Sequence, residues 1–470
     1  MIPVHGYERR KVAVFGLGLS GLASARALAA GGADVLVWDD HIAGVEKARR
    51  EGLTAGNLQT SDWNAFAALI LAPGVPLTHP EPHWTVLRAR EAGVEIIGDT
   101  ELFCRERRRL GSHSKIAAIT GTNGKSTTTA LTAHILQHAC RNVAMGGNIG
   151  VAALDLPPFT DDLHYVIEYS SYQIDLTPTL DATVAALLNV TPDHLDRHGT
   201  LEHYAVVKAR IFDRLDARGT AVVGADDPIT SAIAGALQTP AAVMRISCRN
   251  TVQDGVYARD AQLFETHGGV IEPPVSIAGV GSLRGAHNWQ NAAAAFAMCR
   301  GLGLSREEIA GGLRSFPGLA HRMEEIVRIG RVLFVNDSKA TNVDAASKAL
   351  ASFEDIYWIA GGRPKEGGLT GLEPFFRKIT KAYLIGEAEA EFSRILGAAG
   401  VDHLRCGGLE AAVAAAARDA AETGGANPVV LLSPACASFD HYPNFMTRGD
   451  HFRDVVVNLP GAAMREAFSA

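Results

Sequence analysis

Gly121-Thr122-Asn123-Gly124-Lys125-Ser126-Thr127-Thr128 follows directly on the apolar run 115–120 and opens a hydroxyl-rich stretch of helical pattern. Residues of these types at this spacing can cradle a phosphate chain. Glycines let backbone N–H groups wrap the anion, a lysine meets the terminal phosphates, and a hydroxyl can coordinate magnesium. Gly121, Thr122, Asn123, Gly124, Lys125, Ser126 and Thr127 are therefore the candidate triphosphate-binding residues. The loop is a shortened variant of G-x-x-x-x-G-K-[ST], because position 119 is Ile and not Gly.

Glu168 ends the run 165–167, where a carboxylate can hold magnesium beside a nucleotide. His194 and His198 lie in Asn189-Val190-Thr191-Pro192-Asp193-His194-Leu195-Asp196-Arg197-His198. No cysteine or third well-spaced ligand accompanies them, so the pattern does not read as zinc. Lys208 falls in a helical pattern at 201–212, on the face of Leu201, Tyr204, Ala205, Ile211 and Phe212. Its stem could pack while the amine snorkels to water. Alternatively the amine is desolvated, with a lowered pKa, and able to form a carbamate with carbon dioxide. Periodicity leaves both readings open.

A second glycine turn, Gly16-Leu17-Gly18-Leu19-Ser20-Gly21, also follows a predicted strand and opens a predicted helix, and Asp39 ends the next strand. This is the pattern that brings backbone against a pyrophosphate and a carboxylate against a ribose hydroxyl. Alone it suggests a dinucleotide, and an NAD-linked oxidoreductase is the rival it raises. That rival leaves the second phosphate loop unexplained.

The elements that must position these residues alternate along the chain as short apolar strands and alanine-rich helices, the mark of parallel α/β sheets. Strands are expected at 12–15, 34–38, 68–71 and 94–97, then at 115–120, 165–168, 183–190 and 221–224, and finally at 331–336, 355–360, 382–386 and 428–433. Helices are expected at 19–30 and 411–421. With 470 residues, this predicts three α/β domains, each built on a mostly parallel sheet: 1–108 Rossmann-like, 109–316 P-loop ATPase-like and 317–470 Rossmann-like. The basic cluster Arg105 to Arg109 is expected to be a solvated linker.

A net charge of -7 gives no basic footprint for nucleic acid. Six scattered cysteines without a C-x-x-C pair suit a reducing cytosol. The stretch 12–25 mimics a signal peptide, but Gly16, Gly18 and Gly21 interrupt it and Arg26 stands where cleavage would fall. No apolar run is long enough to span a bilayer. The expectation is a cytoplasmic protein.

Taken together, Gly121 to Ser126, Gly146-Gly147-Asn148-Ile149-Gly150, Glu168-Tyr169-Ser170-Ser171-Tyr172-Gln173, the 189–196 run and Gly285-Ala286-His287-Asn288 resemble the Mur ligases of peptidoglycan synthesis. The runs 336–342, 432–440 and 444–449 resemble the D-glutamate-adding branch, and the similarity extends over roughly residues 11 to 455. The resemblance implies an ATP-dependent amide ligase that activates the carboxylate of UDP-N-acetylmuramoyl-L-alanine as an acyl phosphate and joins it to D-glutamate. It implies that the first glycine turn holds UDP, with Leu19, Ser20, Asp39 and Gly74 touching it and Asn148 and His194 reaching the substrate or its metals. It assigns Lys125 and Ser126 to the terminal phosphates of ATP, and Asn288, Asn291, Arg322 and Asp337 to the adenine and ribose. Two magnesium ions would be placed by Ser126, Glu168, His194 and Lys208 in its carbamylated form, which makes Lys125, Glu168, His194 and Lys208 the expected catalytic set. D-Glutamate would meet Lys339, Thr341, Lys365, Ser438 and Phe445. A monomer with a hinge at Gly318 is expected. The chain departs from the family pattern after Asp39, where relatives carry a hydroxyl residue and then Arg but this chain has Asp40 and His41. Two further rivals are a folylpolyglutamate synthase, which the N-terminal nucleotide pattern argues against, and a nucleotide-binding switch, which would release no phosphate in response to substrates.

Overall fold

The computed structural model describes residues 1–364, 367–422 and 425–462. Lys365 lies outside the described residues. Among the described residues three sheets carry the chain, mostly parallel as expected. The first pairs β1 (Lys11–Phe15), β2 (Asp34–Trp38), β3 (Phe66–Leu71) and β4 (Glu95–Ile97), all parallel, in the order β2-β1-β3-β4. Gly21 in the helix Leu19–Ala30 is needed for close approach, because a Cβ there would stand 1.8 Å from the Gly16 carbonyl oxygen.

The second sheet has β5 (Lys115–Thr120) at its heart, flanked by β7 (Leu163–Glu168) and β8 (Val184–Leu187). Beyond β7 lies β6 (Asn142–Gly147), and beyond β8 lies β9 (Thr220–Gly224). Strands β7, β8 and β9 are buried along their whole length, which is why their sequences are mostly apolar. The sheet continues through β10 (Ala242–Ser247) and β11 (Gly255–Arg259) into antiparallel β12 (Gln262–His267), β13 (Val270–Ile271) and β14 (Val275–Ser276). The strand reading did not anticipate this extension, since β13 has only two residues, both exposed, and β10 is mostly half-buried and mixed in polarity.

The third sheet runs β15-β16-β20-β17-β18-β19, comprising β15 (Glu324–Ile329), β16 (Val332–Asn336), β17 (Ile356–Gly361), β18 (Ile379–Ile385), β19 (His403–Gly407) and β20 (Val429–Leu432). Among the described residues only the edge strand β15 is antiparallel in this sheet. The first two sheets belong to one compact unit, Met1–Ala278 with Trp289–Phe316, and the third to another, Gly279–Asn288 with Pro317–Ala470.

The linker expected at Arg105 to Arg109 is overturned. These residues end the helix Asp99–Arg109, whose Glu101 and Glu106 are fully buried. Arg105 pairs with Glu95 and Glu101, Arg107 and Arg108 with Asp181, and Arg109 with Glu106. Glu101 also accepts hydrogen bonds from the Thr179 backbone and hydroxyl at 2.9 and 2.6 Å. Arginines that looked like a solvated run instead neutralise buried carboxylates and tie the first sheet's last helix to the second sheet's layer. No helix among the described residues is long and apolar enough to cross a membrane.

Candidate active site

The phosphate loop leaves β5 at Gly121 and enters the helix Lys125–His138 through Gly124, which is left-handed at φ +83°. A side chain at 124 would collide with Asn291, whose Oδ1 stands 2.2 Å from an ideal Cβ. Asn291 also accepts a hydrogen bond from Thr128 at 3.4 Å, so it is packed beside the loop. Asn189 clamps the loop from outside it. Its Oδ1 accepts from the Asn123 backbone N–H at 2.8 Å, its Nδ2 donates to the Asn123 carbonyl at 3.1 Å, and its own carbonyl accepts from Thr122 N–H at 2.9 Å. The Lys125 ammonium folds back onto the carbonyls of Gly121 and Thr122, at 3.0 and 2.8 Å. Ser126 is buried at the first turn of the helix and Thr127 is half-buried.

Glu168, at the end of β7, is buried. Its Oε1 accepts from Asn148 Nδ2 at 2.8 Å, while Oε2 has no hydrogen-bond partner. A buried carboxylate oxygen without a donor is costly unless a cation completes it. Lys208 lies in the helix Leu201–Ala209 and is 1% exposed, so its amine does not snorkel. The amine donates to the Gly121 carbonyl at 2.9 Å and to Thr120 Oγ1 at 3.2 Å, and sits over the Tyr204 ring. Burial, with the Lys125 charge adding to it, pushes its pKa well below the ordinary lysine value. Lys208 thus shares the Gly121 carbonyl with Lys125, at the base of the phosphate loop.

His194 is left-handed at φ +54°, half-exposed, with Nε2 3.4 Å from Asp193 and its ring edge-on to Tyr172. His198 is buried, stacked on Tyr172 at 5.4 Å, and bonded to Ser171 Oγ at 2.8 Å. Burial, then the neighbouring His203 and Lys208, lower its pKa to about 4. Between these histidines, Arg197 fans onto the carbonyls of Gly74 at 2.8 Å, Val75 at 2.9 Å and Pro73 at 3.5 Å, with its guanidinium over Tyr172. Arg197 and Asn189 were not singled out from the sequence. Their signal was present in the 189–198 run, but their partners lie 66 and more than 120 residues away.

Those Gly74 and Val75 carbonyls belong to the wall of a cleft of about 590 Å³. It is lined by the first glycine turn with Leu19 and Ser20, by Asp39, Asp40 and His83, and by Gly147 to Gly150. Asn148 lines this cleft while bonding Glu168, so one amide joins the cleft to the carboxylate with the unpartnered oxygen. Asp39 accepts the backbone N–H groups of Leu17 and His41, at 2.5 and 2.8 Å.

In the other unit, Asp337 follows β16 and is buried, accepting from Ser433 Oγ at 2.9 Å and Met323 N–H at 3.2 Å. Burial raises its pKa to about 7, against smaller lowerings by the Ser433 and Met323 hydrogen bonds and then by Arg322. Asn288, buried, donates to the Arg284 carbonyl at 3.0 Å. The Lys339 ammonium lies 4.1 Å from the centre of the Phe445 ring, so these two residues are adjacent. Thr341 immediately precedes Asn342, the N-cap of the helix Val343–Ala351, and Ser438 is buried in the turn before Tyr442. Arg448, fully buried, holds this region together through Ser338, Cys436 and Ala437. It lies in the 444–449 run that carries the family resemblance, but its role there was not singled out from the sequence.

A profile of the Mur ligase middle domain matches residues 119–299, and one of the Mur ligase MurD-like N-terminal domain matches residues 10–98. Full-length relatives are more similar still. The UDP-N-acetylmuramoylalanine--D-glutamate ligase of Chelativorans sp. (strain BNC1) is 56% identical, over 98% of this chain and 98% of its own. The chain belongs to the Mur ligase family. Another relative of the same name, from Rhizobium meliloti (strain 1021), is 56% identical over 99% of this chain and all of its own. Among solved structures, the UDP-N-acetylmuramate-alanine ligase MurC of Thermotoga maritima shares the Mur ligase fold with a TM-score of 0.57 at 18% identity, over 94% of this chain and 98% of its own. A pseudomurein peptide ligase type C from Methanothermus fervidus does so with a TM-score of 0.55 at 17% identity, over 95% and 99%. An oxidoreductase reading of the N-terminal glycine turn is thereby set aside.

Proposed function

We infer that this Mur ligase joins D-glutamate to UDP-N-acetylmuramoyl-L-alanine at the expense of ATP, a cytoplasmic step in making peptidoglycan precursors. The observation that carries the reading is 56% identity, along nearly the whole chain, to ligases named for that reaction. The site geometry supports it: the phosphate loop is clamped by Asn189, and the cleft's Asn148 holds the buried Glu168.

The UDP moiety occupies the cleft, its diphosphate at Leu19 and Ser20 and its ribose toward Asp39. Gly74, Asn148 and His194 face the rest of the substrate. ATP lies along Gly121 to Thr127, and Lys125 exchanges the loop carbonyls for phosphate oxygens. Asn288, Asn291, Arg322 and Asp337 receive the adenosine, while Lys339, Thr341, Lys365, Ser438 and Phe445 receive D-glutamate. Cations and hydroxyls suit a substrate with two carboxylates, each charge-assisted bond contributing roughly 1.5–3 kcal/mol. The ligase works as a monomer in which domains 1–108, 109–316 and 317–470 each supply one substrate.

The unpartnered Glu168 Oε2 fits a divalent cation. Glu168, Ser126 and His194 would hold two magnesium ions, and Lys208 as a carbamate would add an oxygen donor. A buried, neutral Lys208 amine is the form that adds to carbon dioxide, making an N–C bond and releasing a proton, and the nearby Lys125 charge favours the resulting anion. Magnesium supplies positive charge that offsets the charge on the transferring phosphoryl group. The L-alanine carboxylate attacks the γ-phosphorus and ADP leaves, with Lys125 balancing the charge. The D-glutamate amine then attacks the acyl phosphate, loses a proton and expels phosphate. No protein nucleophile takes part.

The test is phosphate release with the UDP-sugar and a panel of amino acids of both hands. D-Glutamate alone should sustain turnover, and Lys125→Ala should abolish it. Indifference to the amino acid would refute the assignment. Lys339→Ala should weaken amino-acid use more than ATP use. For the carbamate, Lys208→Ala should be inactive, and protein in 13C-bicarbonate should show a carbamate resonance absent from that variant.

A further inference from the structure

Asp99 opens the helix Asp99–Arg109, is 1% exposed, and neither of its oxygens has a hydrogen-bond partner among the described residues. A buried carboxylate in that condition is costly while it carries charge. Burial pushes its pKa up to about 6, against smaller lowerings by the Thr100 backbone, the Ser20 side chain, its own backbone and the Gln173 side chain. Ser20 and Gln173 both line the cleft, so Asp99 stands one layer behind the cleft wall. Gln173 Oε1 already accepts from the Ser170 backbone N–H at 3.0 Å, which leaves its amide N–H for Asp99. The carboxylates on the elements packed around Asp99 are engaged elsewhere. On its own helix, Glu101 pairs with Arg105 and Glu106 with Arg109. Asp155 pairs with Arg26 of the helix Leu19–Ala30, and Asp175 of the helix Ser171–Asp175 with Arg210. In the cleft, Asp39 accepts two backbone N–H groups and Asp40 lies 3.0 Å from His83. Cys104 and Tyr169 are buried, and burial holds both protonated.

We propose that Asp99 is a positioning residue that takes up a proton when the substrate diphosphate binds and, once neutral, turns the Ser20 hydroxyl toward phosphate. This rests on the reading that the diphosphate lies at Leu19 and Ser20. An ionised Asp99 only accepts, so it draws the Ser20 O–H inward. A phosphate oxygen also only accepts, and the two anions compete for one hydrogen while repelling each other across the turn. Protonation removes both conflicts. The carboxyl O–H donates to Ser20 Oγ, the Ser20 O–H donates outward, and the other Asp99 oxygen keeps the Gln173 amide. The proton comes from solvent, and no covalent bond of the substrate changes. A phosphate charge seated just beyond Ser20 raises the proton affinity of Asp99 at least about tenfold. Because the bound form holds the proton more tightly than the free form, binding is strongest at low pH and weakens as pH rises through the two values.

UDP-N-acetylmuramoyl-L-alanine is titrated calorimetrically into the full chain in two buffers of different ionisation enthalpy, which counts protons exchanged on binding. Its diphosphate is a diester, so the ligand itself does not titrate near neutrality. The wild type should take up about half a proton at about pH 6.5, and its affinity should fall at least about fivefold from about pH 6 to about pH 8.5. Asp99→Asn is permanently neutral and keeps a donor, so its uptake should vanish and its affinity should stay level with pH, exceeding the wild type's at the alkaline end. A carboxylate with a merely structural role would instead leave the variant weaker at every pH with uptake unchanged. Should Asp99→Asn fail to fold, infrared difference spectra of the wild type decide, since binding must produce a new carboxylic acid C=O band. No uptake in the wild type, uptake persisting in folded Asp99→Asn, or no such band overturns the proposal and leaves the cleft assignment standing. If the UDP-sugar does not bind the wild type at all, the cleft assignment falls and the proposal with it.

Discussion

Asn189→Ala isolates the clamp on the phosphate loop. The substitution removes two hydrogen bonds to Asn123, at 2.8 and 3.1 Å, and leaves the bond from Thr122 N–H to the carbonyl of residue 189 in place. Thr122 keeps a second tether, because its hydroxyl accepts from Thr191 N–H at 3.1 Å. Neutral bonds of this kind contribute about 0.5–1.5 kcal/mol each. The surviving tethers and water at the half-buried loop argue for the lower part of the range, about 1–2 kcal/mol in total. That cost falls on holding the loop in its anion-binding shape, so it should appear as ATP affinity weakened roughly 5- to 30-fold. The assay is equilibrium binding of ATP with magnesium, with a melting curve to verify that the variant is folded. The UDP-sugar KM should stay within about twofold, since Asn189 makes no contact with the cleft wall at 73–75. Unaltered ATP affinity in a folded Asn189→Ala, with Lys125→Ala losing it, would refute the clamp.

Gly124→Ala should be more severe. It places a side chain at φ +83° and drives it against Asn291, so ATP binding should fall more than tenfold, from left-handed strain of about 1–2 kcal/mol and the displaced Asn291; normal ATP binding would contradict the loop geometry. Arg197→Lys cannot reproduce the fan onto Pro73, Gly74 and Val75. The KM for the UDP-sugar should rise about tenfold with that for ATP unchanged, and equal changes in both would point to a merely structural role. Burial pushes the Asp337 carboxyl from the ordinary aspartate value of 3.8 up to about 7 in the folded protein. The folded state therefore binds the extra proton, and stability falls as pH rises through that window. Asp337→Asn should stabilise the protein more at pH 8 than at pH 5, by up to a few kcal/mol at about 1.4 kcal/mol per unit. An equal melting shift at both values would show that the carboxyl is not held protonated.

The two glycine turns were legible because their chemistry is contiguous. A strand, a turn able to take positive φ and a helix N-terminus follow one another within about ten residues, and each leaves its residue type in the sequence. The central strands were legible for a related reason: both faces are buried, so apolar residues predominate, whereas β6, β15 and β19, with more exposed positions, were not expected. The antiparallel extension at 255–276 was not, because short strands with an exposed face carry little pattern.

Charge was where local reading failed. Arg105 to Arg109 looks solvated in isolation, and only folding brings Glu95, Thr179 and Asp181 to it and buries Glu101 and Glu106 beneath it. Lys208 shows the same limit from the other side. Its helical stripe was plain, but whether its amine reached water depended on Thr120, Gly121 and Tyr204 closing over it. By itself the sequence determined where phosphate could be gripped, since backbone conformation and residue type decide that within a few positions. The tertiary structure alone decided which charges are desolvated and which carboxylate oxygen is left unpaired. Those properties arise from groups distant along the chain that become neighbours only when water is excluded between them.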